Sequence, residues 1–220
     1  MLANAQGTFQ NLNFESANLT PIPAGQYGGS VSIVSALPDW TGYLGTVQQT
    51  QVLQNNYDLG SATINILGPS WNIGYPGIID GDYTVMLQAG AGAGGLINAS
   101  IAQTGMVPAF AQSMEFSLAE VLGGNGFSVS FAGNSLSPAV LSTATSPSGQ
   151  SYNVYGVDIS PYAGQTGQLE FTSIANGRDS SLLLDDITFS PNAVPEPSTL
   201  ALVVMGGLAL AARRWHAKGS

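Results

Sequence analysis

Between Gln6 and Pro191 the apolar residues fall in short alternating runs, each closed by Gly, Pro, Asn or Ser, and this period of two constrains the fold more than any other feature. Successive side chains of an extended strand point to opposite faces, so alternation over four to eight residues buries one face and wets the other. Eleven runs read as strands: Thr8–Glu15, Ser30–Ser35, Ser61–Leu67, Tyr83–Gln88, Ile97–Thr104, Ser113–Leu118, Phe127–Ala132, Ala139–Thr143, Tyr152–Val157, Gln168–Thr172 and Leu182–Phe189. No long amphipathic helical pattern and no repeat of fixed period interrupts them. Many short strands separated by turn signals predict an all-β fold, an antiparallel β-sandwich of jelly-roll type. The glycine-rich stretch from Gly90 to Gly95 is expected to be a flexible hairpin loop. It lacks the lysine and the strand-to-helix setting of a phosphate-binding loop.

Composition removes most chemistries. The 220-residue chain has 13 acidic and 4 basic residues, a net charge of −9 and a pI near 4.1, which excludes a nucleic-acid binder, since phosphate contacts need clustered cations. Gly and Pro total 40 of 220 residues and 44% of the chain is hydrophobic, so it has the means to fold. There is no cysteine and a single histidine, His216. Disulfide stapling, thiol catalysis, cysteine or multi-histidine zinc sites and internal imidazole triads are therefore excluded. Arg178 is the one cation before the tail. A body of about 190 residues fits one domain.

The C-terminal tail has a different character. Pro195, Glu196 and Pro197 precede an uncharged apolar run from Leu200 to Ala212, which is followed by Arg213, Arg214, Trp215 and Lys218. As a helix rising ~1.5 Å per residue the run spans roughly 20 Å, short of a ~30 Å hydrocarbon core, so its flanks must snorkel. The basic cluster suits anionic cytoplasmic headgroups. A C-terminal hydrophobic helix acting as a short membrane anchor is expected. This order of parts closely resembles the PEP-CTERM sorting tail of bacterial exported proteins. The resemblance implies an exosortase-type transpeptidase as partner and a destination in the cell envelope or extracellular matrix, after initial anchoring in the inner membrane. The two prolines would hold the motif extended for a protease-like cleft. At the other end, Ala3-Asn4-Ala5 fits the small-x-small pattern of a signal-peptidase site. The expected division is a signal-peptide remnant over 1–5, a sandwich over 6–191 and a sorting tail over 192–220.

A second resemblance covers the body. Asn11-Leu-Asn-Phe-Glu15, Asp80-Gly-Asp-Tyr-Thr-Val-Met-Leu-Gln88 with Ser100-Ile-Ala-Gln-Thr104, and Leu183-Leu-Asp-Asp-Ile187 look like the first, middle and last strands of galactose-binding-like jelly rolls, a superfamily that includes many carbohydrate-binding modules. It implies a structural calcium between the first and last strands, with Glu15 and Asp186 in the matching places and Asp185 as the alternate. Two carboxylates need carbonyls and water to reach the six to eight oxygens calcium takes. Strand alternation puts Asp185 and Asp186 on opposite faces, so one points inward and needs a metal or backbone amides as partner. A carboxylate hydrogen-bonded in a turn is the competing account. Asp58, Asp80 and Asp82 lie near glycines and fit turn capping, not an EF-hand.

Sugar sites present an aromatic face to the apolar side of a pyranose. Trp40, Tyr43, Trp71 and Tyr75 form the candidate carbohydrate-binding platform, with Asp39, Gln48 and Asn72 as polar neighbours; the competing reading has the two tryptophans capping the core. For glycoside hydrolysis a carboxylate pair would have to come from Glu115, Glu120, Asp158 or Glu170, and nothing in the sequence selects one. The expectation is a non-catalytic exported protein that binds extracellular polysaccharide, with a purely structural matrix or surface protein as the alternative.

Overall fold

The computed structural model describes residues 7–58, 60–71, 76–122 and 126–194. The strands are β1 (Ser30–Ser32), β2 (Thr41–Leu44), β3 (Val47–Gln49), β4 (Gln51–Gln54), β5 (Thr63–Leu67), β6 (Thr84–Gly92), β7 (Gly95–Ile97), β8 (Ala99–Met106), β9 (Ser113–Leu122), β10 (Phe127–Phe131), β11 (Asn134–Ser135), β12 (Ala139–Thr145), β13 (Ser151–Asp158), β14 (Thr166–Ser173) and β15 (Ser180–Ser190). They form two sheets packed as a sandwich. The larger, nine-stranded sheet runs β1-β4-β5-β6-β15-β9-β13-β12, with β7 hydrogen-bonded to β6; the six-stranded sheet runs β11-β10-β14-β8-β2-β3. Pairing is antiparallel except between β4 and β5.

Alternation fills the space between the sheets. Leu182 and Leu184 of β15, Phe116 and Leu118 of β9, and Leu169 and Phe171 of β14 enter one core with Phe14 and Trp40. The Phe116 ring meets Phe171 edge-on at 5.1 Å and stacks on Tyr155 at 5.5 Å; such pairs add ~0.5–1.5 kcal/mol beyond area burial. Leu183 points the other way, into a second cluster with Leu67, Trp71, Ile79, Met86 and Ala119. Trp71, Ile78 and Ile79, from between β5 and β6, thus pack on the outer face of the large sheet, which explains why the middle of β15 is apolar at consecutive positions.

Four expectations need correction. Thr8–Glu15 is not a strand: Asn11 and Phe14 have φ of 50° and 59°, and the Asn11 side chain accepts the Ser16 N–H at 2.9 Å. Phe9, Leu12 and Phe14 are buried all the same, in a turning segment tied to β15 by the Ile187 N–H, which donates to the Leu12 carbonyl at 3.0 Å. Ser30–Ser35 divides into β1 and one helical turn, Ile33–Ala36, which buries Ile33 and Ala36. Residues 41–54, which carried no strand expectation, supply β2, β3 and β4. The Gly90–Gly95 stretch is mostly strand, with β6 reaching Gly92 and β7 starting at Gly95. Residues 1–5, the Pro195–Pro197 motif and the apolar C-terminal helix lie outside the described residues.

Candidate functional site

The densest gathering of titratable groups surrounds a break in β15. Its register with β9 shifts between Asp185 and Thr188, and Asp186 takes a left-handed φ of 50°, the geometry of a bulge. Asp185, still in register opposite Ser117, lies on the same face of the sheet as Leu183 and is 1% exposed. Its Oδ2 accepts the Thr84 hydroxyl at 2.7 Å and the Asp80 N–H at 3.4 Å, and its Oδ1 accepts the Asp186 N–H at 2.9 Å. Thr84 is held in turn, because its Oγ1 accepts the Ile79 N–H at 2.9 Å. Burial pushes the Asp185 carboxyl up to about 8; the bond from Thr84 opposes this, the neighbouring Asp186 charge adds to it, and the two backbone N–H groups oppose it. The inward carboxyl of the pair is therefore Asp185, partnered by amides and a hydroxyl, and it is mostly protonated at neutral pH.

Glu15 works on the same turn from outside. Its Oε1 accepts the N–H groups of Asp82 at 2.9 Å and Tyr83 at 3.0 Å, so one exposed side chain pins the N-terminal segment to the start of β6. Gly81 makes the close approach possible: its φ is 56°, and a Cβ there would collide with the Glu15 carboxylate. Asp186 is also raised, first by burial and then by the charges of Asp80 and Glu15. Asp186 therefore lies within reach of the Glu15 charge. Among the described residues, however, no three acidic or imidazole groups converge on one point, and a Glu15 oxygen is already engaged by two amides. The side chains present do not complete a calcium cage, and an ion there would depend on carbonyls and water.

The aromatic platform is corrected by burial. Trp40 is 4% exposed and Trp71 is 6% exposed. The Trp40 indole N–H donates to the Asn11 carbonyl at 3.0 Å, and its ring packs against Phe14 and Phe171. The Trp71 indole N–H donates to the Pro76 carbonyl at 2.6 Å. The two rings belong to different clusters on opposite sides of the large sheet, so they share no surface. Tyr43 is half-buried in β2, opposite Gln48 of β3; Asp39 is exposed at a turn with φ 70°. Tyr75 and Asn72 lie outside the described residues. Sequence reasoning passed over Tyr27, the most exposed aromatic ring among the described residues, at 52%. It meets Tyr57 and Trp71 edge-on at 5.9 and 6.1 Å, and nothing in its setting of Gly and Pro pointed to that contact.

The carboxylates weighed for hydrolysis are dispersed. Glu115 and Glu120 lie on β9 and Glu170 on β14 of the other sheet, while Asp158 caps a turn by accepting the Ser160 N–H and hydroxyl at 2.9 and 2.7 Å. An open groove of about 350 Å³ runs between the N-terminal segment and the β15 bulge, with Asp186 as the one ionisable group in its lining. A cleft of about 260 Å³ beside Trp71 is smaller than the ~300–1,000 Å³ of most ligand pockets.

Fold and site together define a β-sandwich body whose acidic groups hold its own turns in place. Residues 193–214 match the family model described as the PEP-CTERM protein-sorting motif, a span that contains Pro195, Glu196, Pro197, Arg213 and Arg214. The match marks the chain as an exosortase-sorted exported protein directed to the cell envelope or surface. No curated protein matches the chain.

Proposed function

We propose that the protein is a non-catalytic structural component of the bacterial surface or extracellular matrix, held in the membrane by its 192–220 tail until a transpeptidase acts at Pro195–Pro197. Burial of both Trp40 and Trp71 carries this reading, because it removes the aromatic platform on which polysaccharide recognition was to rest. The acids point the same way: Asp185, Glu15 and Asp158 each accept hydrogen bonds from the protein's own backbone. Exposure of Tyr27 favours one second reading, a weak sugar contact at the Tyr27–Tyr57 pair.

Affinity electrophoresis of the purified chain through gels loaded with neutral and acidic polysaccharides separates the two. Unchanged mobility in every gel is expected. Retardation that disappears in Tyr27→Ala would establish the sugar-binding reading and overturn the structural one.

A further inference from the structure

Asparagine followed by glycine is among the least durable pairs in a polypeptide. The backbone nitrogen after an asparagine can attack the side-chain amide carbon, and glycine, with no Cβ, leaves that approach unhindered. Among the described residues Asn176 alone precedes a glycine; the chain's other such pair, Asn125-Gly126, has its asparagine outside them. Asn176 and Gly177 lie in the connection between β14 and β15, and both are exposed, as are Arg178 and Asp179. Residues 176–178 form a bend that no turn hydrogen bond closes, with Gly177 at φ 75°.

The ties of this connection stop on either side of the bend. Before it, the Ile174 N–H donates to the Gly126 carbonyl at 3.3 Å and the Ala175 N–H to the Asn98 side chain at 3.0 Å. After it, the Ser180 carbonyl accepts the Ser173 hydroxyl at 3.2 Å. In between, the Asn176 side chain and the Gly177 N–H make no hydrogen bond to another described residue. Asparagines elsewhere are held or crowded. Asn55 donates to the Ser70 hydroxyl at 2.9 Å and accepts the Gly68 N–H at 2.6 Å, Asn98 accepts the Ala175 N–H, and Asn153 accepts the Thr143 hydroxyl at 2.8 Å. Asn18 and Asn192 are exposed but precede Leu19 and Ala193, whose side chains crowd the attacking nitrogen.

We propose that Asn176 is a site of spontaneous self-modification, at which the chain converts asparagine to aspartate and isoaspartate with no enzyme. The Gly177 nitrogen bonds to the Asn176 Cγ, the bond from Cγ to the side-chain nitrogen breaks, and ammonia leaves with the proton that the Gly177 nitrogen gives up. Water then opens the cyclic imide. Cleavage between the ring nitrogen and Cγ leaves aspartate; cleavage at the main-chain carbonyl leaves isoaspartate, whose backbone runs through Cγ. Either product places a carboxylate, ionised at neutral pH, beside Arg178 and Asp179. The site goes beyond the structural reading above and does not depend on it.

The purified full chain in detergent micelles is kept at neutral and at mildly alkaline pH, sampled over weeks, unfolded and cut with chymotrypsin. The fragment of residues 172–182 is then followed by chromatography and mass spectrometry. Two new species are expected, each heavier by the difference between OH and NH2, one identified as isoaspartate by fragmentation, and both forming faster at the higher pH. Opening an exposed loop costs almost nothing, so the rate should lie within about tenfold of that of a synthetic peptide of the same residues. Asn98 and Asn153 should stay intact over the same time, and Asn176→Gln should remove the reaction, because glutamine must close a larger ring. Asn125-Gly126 falls in a different fragment and does not enter the reading. An intact Asn176 after the peptide has converted, equal conversion at Asn98 and Asn153, or aspartate without isoaspartate, the mark of direct hydrolysis, overturns the proposal. None of these results touches the structural reading, which the polysaccharide gels test.

Discussion

Asp185→Asn should stabilise this protein at neutral and mildly alkaline pH, and the size of the effect follows from the burial of one carboxyl. The group moves from its ordinary 3.8 in the unfolded chain to about 8 in the fold. Between those values the unfolded chain is ionised at this position and the folded one is not, so the folded state holds the extra proton. Stability is then full below pH ~4, falls as pH rises, and levels off above about 8. A gap of about 4 pH units at 1.36 kcal/mol each sets an upper limit of roughly 5 kcal/mol; relaxation around the ionised group lowers it. For a domain of this size each kcal/mol is worth roughly 2–4 °C, so a fall in Tm on the order of 10 °C between pH 4.5 and 8 is expected. Asparagine keeps the shape, accepts one of the same backbone N–H groups and cannot ionise. Thermal and urea unfolding of both chains at half-unit pH steps checks this. General repulsion in an acidic body also weakens with acid, and the raised Asp186 has the same sign, so the informative quantity is the difference between the two slopes, close to one proton per molecule. Parallel pH profiles for Asp185→Asn and the parent would refute the protonated buried carboxyl.

The other substitutions address the sites that the sequence had singled out. Trp40→Ala and Trp71→Ala each remove a buried ring and are expected to cost ~3–5 kcal/mol in urea unfolding, with no change of mobility in polysaccharide gels at temperatures where the variants stay folded. Glu15→Ala leaves the Asp82 and Tyr83 N–H groups without their acceptor and should cost about 1 kcal/mol, a small figure because water reaches the site. With the amides as its partners, neither EDTA nor millimolar calcium should move the Tm; a rise with calcium that is lost in Glu15→Ala would assign the site to a metal instead.

Ten of the eleven alternating runs overlap real strands, and the reason is physical: β5, β6, β8, β9, β10, β13, β14 and β15 each have a face against a core, so period two is written into their residues. The misses occur where that rule weakens. β2 to β4 are pieces of three or four residues, too short to show a period, and their places come from neighbours already in the sheets. Thr8–Glu15 resembled a strand because Phe9, Leu12 and Phe14 are all buried, yet their burial is achieved by left-handed turns at Asn11 and Phe14. Of the candidate site, a buried carboxylate in the Asp185–Asp186 pair was legible from alternation and from the lack of cations. Which aspartate it was depended on the bulge, and a bulge leaves no mark in an apolar pattern. The tryptophans failed as a platform for the same reason: loop residues carry no periodicity, so burial there is decided by long-range bonds such as Trp40 to Asn11.

A body with Arg178 as its single cation cannot neutralise its carboxylates by ion pairing, and that shortage organises the whole molecule. The cheapest answer at the exposed turn is a backbone amide, which Glu15 and Asp158 use. In the interior, where amides alone do not offset desolvation, the answer is a proton on Asp185.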